Sequence, residues 1–130
     1  MKGIIASTGT LLIYRLIYMP DGVVAADKIE YANSLWQKGI GLLGRRKLKA
    51  GQGMWLPSVS SIHTFGMQIS IDVLFLDKNY RTTRACSRVG PLHVCLSPKG
   101  TKHCIELAAG TLTEEQCRSL LALWNIEPAI

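Results

Sequence analysis

The chain has 130 residues, 48% apolar and 18% charged, enough length to bury a core and too apolar a composition for intrinsic disorder. No run reaches the roughly 18 apolar residues that a membrane-crossing helix needs. The formal net charge is +6, and it is uneven. Between Lys38 and Lys102 stand eleven basic residues against Asp72 and Asp77 alone, about +9 on the formal count. That bias points to a partner of negative charge, either an anionic ligand or polymer or a protein surface. Nucleic acid is disfavoured, because the aromatic residues are not interleaved with the charge.

In chain order, Gly3 to Tyr14 is apolar but diluted by Ser7, Thr8, Gly9 and Thr10, and it ends at Arg15. It lacks the clean apolar stretch and cleavage site of a signal peptide, so it reads as folded chain and the protein as cytoplasmic. Leu11 to Met19 and Val23 to Ala26 flank Pro20-Asp21-Gly22 and predict a β-hairpin. Ser34 opens a short helix through Leu43, with Leu35, Trp36, Ile40 and Leu43 on one face and Gly44 as its stop. A basic loop runs from Arg45 to Gly53, and Met54-Trp55-Leu56 reads as a strand closed by Pro57.

The segment from Ile62 to Asp77 carries the strongest pattern. It sets His63 and Thr64 among Ile62, Phe65 and Met67, then runs Ile71-Asp72-Val73-Leu74-Phe75-Leu76-Asp77, a buried strand that takes polar groups beside the core. Asp77 to Tyr80 makes a turn, and Arg81 to Val89 returns antiparallel. Alternation puts Arg84, Cys86 and Arg88 on one face of that strand. His103 to Ala109 is a further strand. Thr113-Glu114-Glu115-Gln116 is a capping-box start for a final helix to about Trp124. The sum is one domain of α+β class, a small antiparallel barrel-like sheet with two short helices.

Several motifs in this order resemble the domain-of-unknown-function 192 family. Gly41-Leu42-Leu43-Gly44-Arg45, Leu48 and Gly51-x-Gly53-Met54 resemble its first signature. His63-Thr64-Phe65-x-Met67 with Ile71 to Asp77 resembles its second, and Glu106-Leu107-x-x-Gly110 its third. The resemblance covers about residues 32–110 and implies a small, mostly β fold with no activity established for the group. Two departures stand out: an N-terminal hairpin longer than expected, and a helix-like tail ending Asn125-Ile126-Glu127-Pro128 where relatives finish with a turn and strand.

Candidate ligand-binding residues are Arg45, His63, Thr64, Met67, Asp72 and Glu106. Arg45 and Asp72 are expected to pair, or Asp72 to bond loop amides; Glu106 faces a pocket or pairs with Arg84 or Arg88. Two functional readings compete. One is a non-catalytic binding module for an anionic ligand, polymer or protein; the other is a hydrolase with His63 as base and Asp72 as its orienting carboxylate. No nucleophile is visibly matched to that pair, which favours binding. His63, His93, His103, Asp72 and Cys104 offer metal-ligand types without metal-site spacing, so no metal or cofactor is expected. Cys86, Cys95, Cys104 and Cys117 contain no Cys-x-x-Cys pair and read as reduced thiols.

Overall fold

The computed structural model describes residues 12–32, 48–58, 61–64 and 67–129, excluding the side chains of Ser61 and His63. The helix expected from Ser34 and the loop residue Arg45 lie outside the described residues.

The described chain is mostly strand. β1 (Ile13–Tyr18) and β2 (Val23–Tyr31) form the expected hairpin, with the Asp21 carboxylate accepting the Val23 N–H at 2.9 Å in its turn. β3 (Gln52–Pro57), β4 (Ser61–His63), β5 (Ile71–Asp77), β6 (Thr82–Val89), β7 (Val94–Leu96) and β8 (Thr101–Ala108) follow. One five-residue helix, α1 (Glu114–Arg118), precedes β9 (Trp124–Pro128). Seven strands make one sheet in the order β6-β5-β8-β3-β2-β1-β9, while β4 and β7 pair separately.

The sheet corrects the barrel expectation twice. It is mixed, because β2 and β3 run parallel with Ile29 opposite Gly53 and Tyr31 opposite Trp55. It is also open. The edge strands meet only near their starts, through the Arg81–Leu123 bridge and amide bonds such as Trp124 to Tyr80, and no continuous ladder joins them. Nor does α1 run on to Trp124. Its capping box forms as expected, Thr113 Oγ1 accepting from Gln116 N and Gln116 Oε1 from Thr113 N. Yet the helix ends at Ser119, and Trp124 begins β9 along the exposed edge of β1. The helix-like tail is thus a strand, tied at its rim by the Arg15–Glu127 ion pair.

Each face of the sheet carries its own core. β5 is buried from Ile71 to Leu76 because both its faces are covered, which is why it reads as a continuous apolar run. On one face Leu74, Leu76, Ile105 and Leu107 pack with Tyr14, Ile29, Trp55 and Trp124. On the other, Ile71, Val73, Phe75, Met54, Leu56, Met67 and Cys104 pack beneath Ile62 and Cys95 of the small β4–β7 sheet. Gly53 marks the tightest point of the stack: a Cβ there would lie 2.4 Å from the Glu106 carbonyl oxygen. Among the described residues no helix is long and apolar enough to cross a membrane.

A candidate binding cleft beside a pinned bulge

Asp72 organises one end of the sheet. Its side chain is fully buried and its two oxygens accept different backbone amides: Oδ1 from Arg88 N and Oδ2 from Leu112 N, each at 2.8 Å. The first bond holds a β-bulge. Between the Ile71–Val89 and Val73–Cys86 pairs the register slips, so Ser87 and Arg88 together oppose Asp72. Arg88 takes φ of 53°, a left-handed conformation that costs a non-glycine residue of order 1 kcal/mol and needs such an anchor. The second bond fixes the turn after β8, where Thr111 Oγ1 donates to the Ala108 carbonyl at 2.6 Å. One buried carboxylate therefore ties β6, the β8 turn and the start of α1 together.

The bulge aims Arg88 at that turn. Gly110, at φ of 89°, lets the guanidinium lie against it; a Cβ at this position would sit 3.2 Å from Arg88 Nη2. Beside Gly110 opens a cleft of about 320 Å³. Leu48, Ala50 and Gly51 line one wall, Ala109, Gly110 and Thr111 the other, with Ala25 at its side. This volume suits a small ligand, and small side chains leave backbone groups accessible within it. Asp27 approaches the same cleft at Gly51, where its charge is shared with Lys28 at 3.5 Å. Arg88 is solvent-exposed and has no carboxylate within ion-pair distance among the described residues.

The six candidate residues do not converge on this cleft. Asp72 supports it from beneath, through loop amides. Glu106 lies on the opposite face of the sheet, buried opposite Met54 and Val73, where burial first and the Glu106 charge second push the Cys104 thiol well above its ordinary range. Met67 is core on that face. Thr64 is a staple: Oγ1 donates to the Gly90 carbonyl at 2.7 Å and accepts from His93 N at 2.8 Å, holding the loop before β7 onto β4. His63 sits opposite Val94 in β4, on the side of the sheet away from Asp72, and Arg45 falls outside the described residues. No group of three His, Cys, Asp or Glu side chains among the described residues is arranged to hold a metal ion.

Arg88 lies against Gly110, one of the residues lining the cleft, yet no local pattern separates Arg88 from its neighbours Arg81 and Arg84. Alternation along β6 also fails at the bulge, so the direction of Arg88 was not legible. Burial and then the Asp72 charge raise the nearby Cys117 thiol above its ordinary value. On the first face, Trp55 Nε1 donates to His103 Nδ1 at 3.2 Å while Tyr80 stacks on the imidazole at 4.6 Å, and burial lowers the His103 pKa despite Asp77.

The fold is shared with proteins of low sequence similarity. A protein from Sinorhizobium meliloti 1021, provisionally described as a transcription regulator, matches with a TM-score of 0.68 at 20% identity, over 89% of this chain and 92% of its own. A protein of unknown function from Novosphingobium aromaticivorans DSM 12444 matches with a TM-score of 0.69 at 15% identity, over 94% of this chain and 89% of its own. No curated protein matches. The family model for DUF192, Uncharacterized ACR, spans residues 17–119, which takes in the end of β1, β2 through α1 and every residue lining the cleft. The chain belongs to the DUF192 family.

Proposed function

We propose that this protein is a non-catalytic binding module for a small anionic ligand, seated in the cleft between residues 48–51 and 108–111 with Arg88 at its charged end. The observation that carries this reading is the positioned guanidinium: a bulge anchored by Asp72 holds Arg88 against Gly110, and Gly110 lines the cleft. A preorganised arginine gives a carboxylate or phosphate two parallel hydrogen bonds without first paying to order the side chain. The excess of basic residues between Lys38 and Lys102 supplies a favourable long-range field. Binding is preferred to hydrolysis by His63 and Asp72 because Asp72 is held by two amides on one side of the sheet while β4, which carries His63, covers the other.

The test is a thermal-shift titration with inorganic phosphate, citrate and a nucleoside monophosphate as probes, at low and high salt. At least one probe should raise the melting temperature, less so in high salt. Arg88→Gln should weaken binding at least about tenfold, the scale of one charge-assisted hydrogen bond. Absence of any shift, or a shift that persists unchanged in Arg88→Gln, would remove this reading.

A further inference from the structure

Three of the four cysteines meet on the sheet face that the small β4–β7 sheet covers. Cys86 stands opposite Val73 on β6, Cys104 opposite Phe75 on β8, and Cys95 reaches the same core from β7, where it pairs with Ile62. The strands carrying two of these thiols are held together by a separate contact: Arg84 Nη1 donates to the Leu96 carbonyl at 2.9 Å, bridging β6 to β7 one or two residues away. Both thiols belong to the same packed cluster, Cys95 buried within it and Cys86 against its edge, and Cys86 is the neighbour that acts most strongly on the Cys95 thiol. All four cysteines are free thiols, and Cys86 is partly open to solvent while Cys95 and Cys104 are buried.

We propose that Cys86 and Cys95 form a thiol–disulfide site, in which a hydroperoxide oxidises Cys86 and Cys95 closes the disulfide. The accessible Cys86 sulfur, as thiolate, attacks the terminal peroxide oxygen. The S–O bond forms as the O–O bond breaks; sulfur is oxidised to the sulfenic acid, and the peroxide is reduced and leaves as alcohol, or as water from hydrogen peroxide. The Cys95 sulfur then attacks the Cys86 sulfur. The S–S bond forms, the S–O bond breaks, and the departing hydroxide takes the Cys95 proton as water. Two thiols and one hydroperoxide thus become one disulfide, one alcohol and one water.

The order of attack follows from the surroundings. Burial, with Cys86 beside it, pushes the Cys95 thiol up to about 11, which suits it to resolving a neighbour rather than meeting peroxide first. Cys104 is fully buried behind both and is sequestered from the reagent. The bond closes a ring from Cys86 to Cys95 that contains the Arg88 bulge and the loop stapled by Thr64. It would fasten the small sheet to the main one covalently. This inference stands independently of the ligand reading, since it needs neither the cleft nor Arg88.

One equivalent of hydrogen peroxide is added to the reduced protein, which is then denatured, alkylated and mapped by peptide mass spectrometry. Alkylatable thiols should fall from four to two, with Cys86 and Cys95 recovered in one linked peptide. Cys104→Ala should leave the linkage intact, whereas Cys95→Ala should trap a sulfenic acid on Cys86 that dimedone labels. Circular dichroism on each variant separates misfolding from lost chemistry, and the wild-type map decides the matter if a variant misfolds. Four thiols remaining, a disulfide between other cysteines, an intermolecular disulfide, or Cys86 carried straight to sulfinic acid would each overturn the proposal.

Discussion

Replacing Asp72 tests whether one buried carboxylate holds the bulge and the turn together. Asp72→Ala removes the acceptor from two N–H groups, those of Arg88 and Leu112, at a position fully closed to solvent. Each buried donor left without a partner costs about 1–3 kcal/mol, so the pair is worth roughly 4 kcal/mol before relaxation. Relaxation has one easy route. Without its anchor Arg88 can leave the left-handed region and recover of order 1 kcal/mol of backbone strain, bringing the expected loss to about 3 kcal/mol. Asp72→Asn keeps one acceptor but turns its NH₂ toward the second amide, so it should cost less than alanine, about 2 kcal/mol.

Urea unfolding followed by far-ultraviolet circular dichroism measures both. With a slope of about 2 kcal/mol per molar, the alanine variant's midpoint should fall by about 1.5 M and the asparagine variant's by about 1 M. The order is as informative as the size. If Asp72→Ala stays within about 0.5 kcal/mol of the parent, the carboxylate is not the tie described above and surface substitutions set the scale instead. If Asp72→Asn proves worse than alanine, repulsion within an unrelaxed site outweighs the missing acceptor, and the assumed relaxation of the bulge is wrong.

Other substitutions probe the packing around this framework. Gly53→Ala would place a methyl group 2.4 Å from the Glu106 carbonyl oxygen and 2.9 Å from Leu107 Cδ2, so it should destabilise by about 3 kcal/mol or more; a melt within a degree or two of the parent would refute that close approach. Tyr14→Phe should be neutral or stabilising by up to about 1 kcal/mol, since the buried Tyr14 hydroxyl has no hydrogen-bond partner among the described residues; a clear loss in urea would mean the hydroxyl is satisfied. His103 carries a pH dependence. Its folded pKa is lowered from the ordinary 6.5 by burial, so the unfolded chain binds more protons just below that value, and stability falls as pH drops below about 6.5. Melting curves across this window should show the loss in the parent and a smaller one in His103→Gln, whose amide can still accept from Trp55; equal slopes would exclude His103 as the source.

Local chemistry wrote several features into the chain directly. The β1–β2 hairpin follows from two apolar runs around Pro20-Asp21-Gly22, and the β5–β6 turn from Asp77, whose carboxylate accepts the N–H groups of Asn79 and Arg81 at 2.8 and 3.0 Å. The capping box at Thr113 and Gln116 was equally readable, because a cap satisfies its own neighbours. The strand β7 was not. Three residues, two of them exposed, carry no periodicity long enough to detect. The candidate site was half legible: Asp72 and Thr64 stood out because polar groups in an apolar run need partners, and loop amides were among those expected for Asp72, but which amides and carbonyls these two residues meet is set by distant segments.

What the sequence by itself determined is therefore the local inventory: the buried strand β5, its turns, the helix cap, the family motifs and the excess of basic charge. Each depends on residues within a few positions of one another. Tertiary structure alone decided which edges met. It set β2 parallel to β3, ended α1 after five residues and drew Trp124 into β9, where the unpaired edge of β1 offered hydrogen bonds that a longer helix would have forgone. It also decided where the side chains of β6 point, because the Asp72-held bulge breaks the alternation that would otherwise fix Arg88. Pairing partners and register are properties of distant segments competing for the same backbone groups, and no window of sequence contains both competitors.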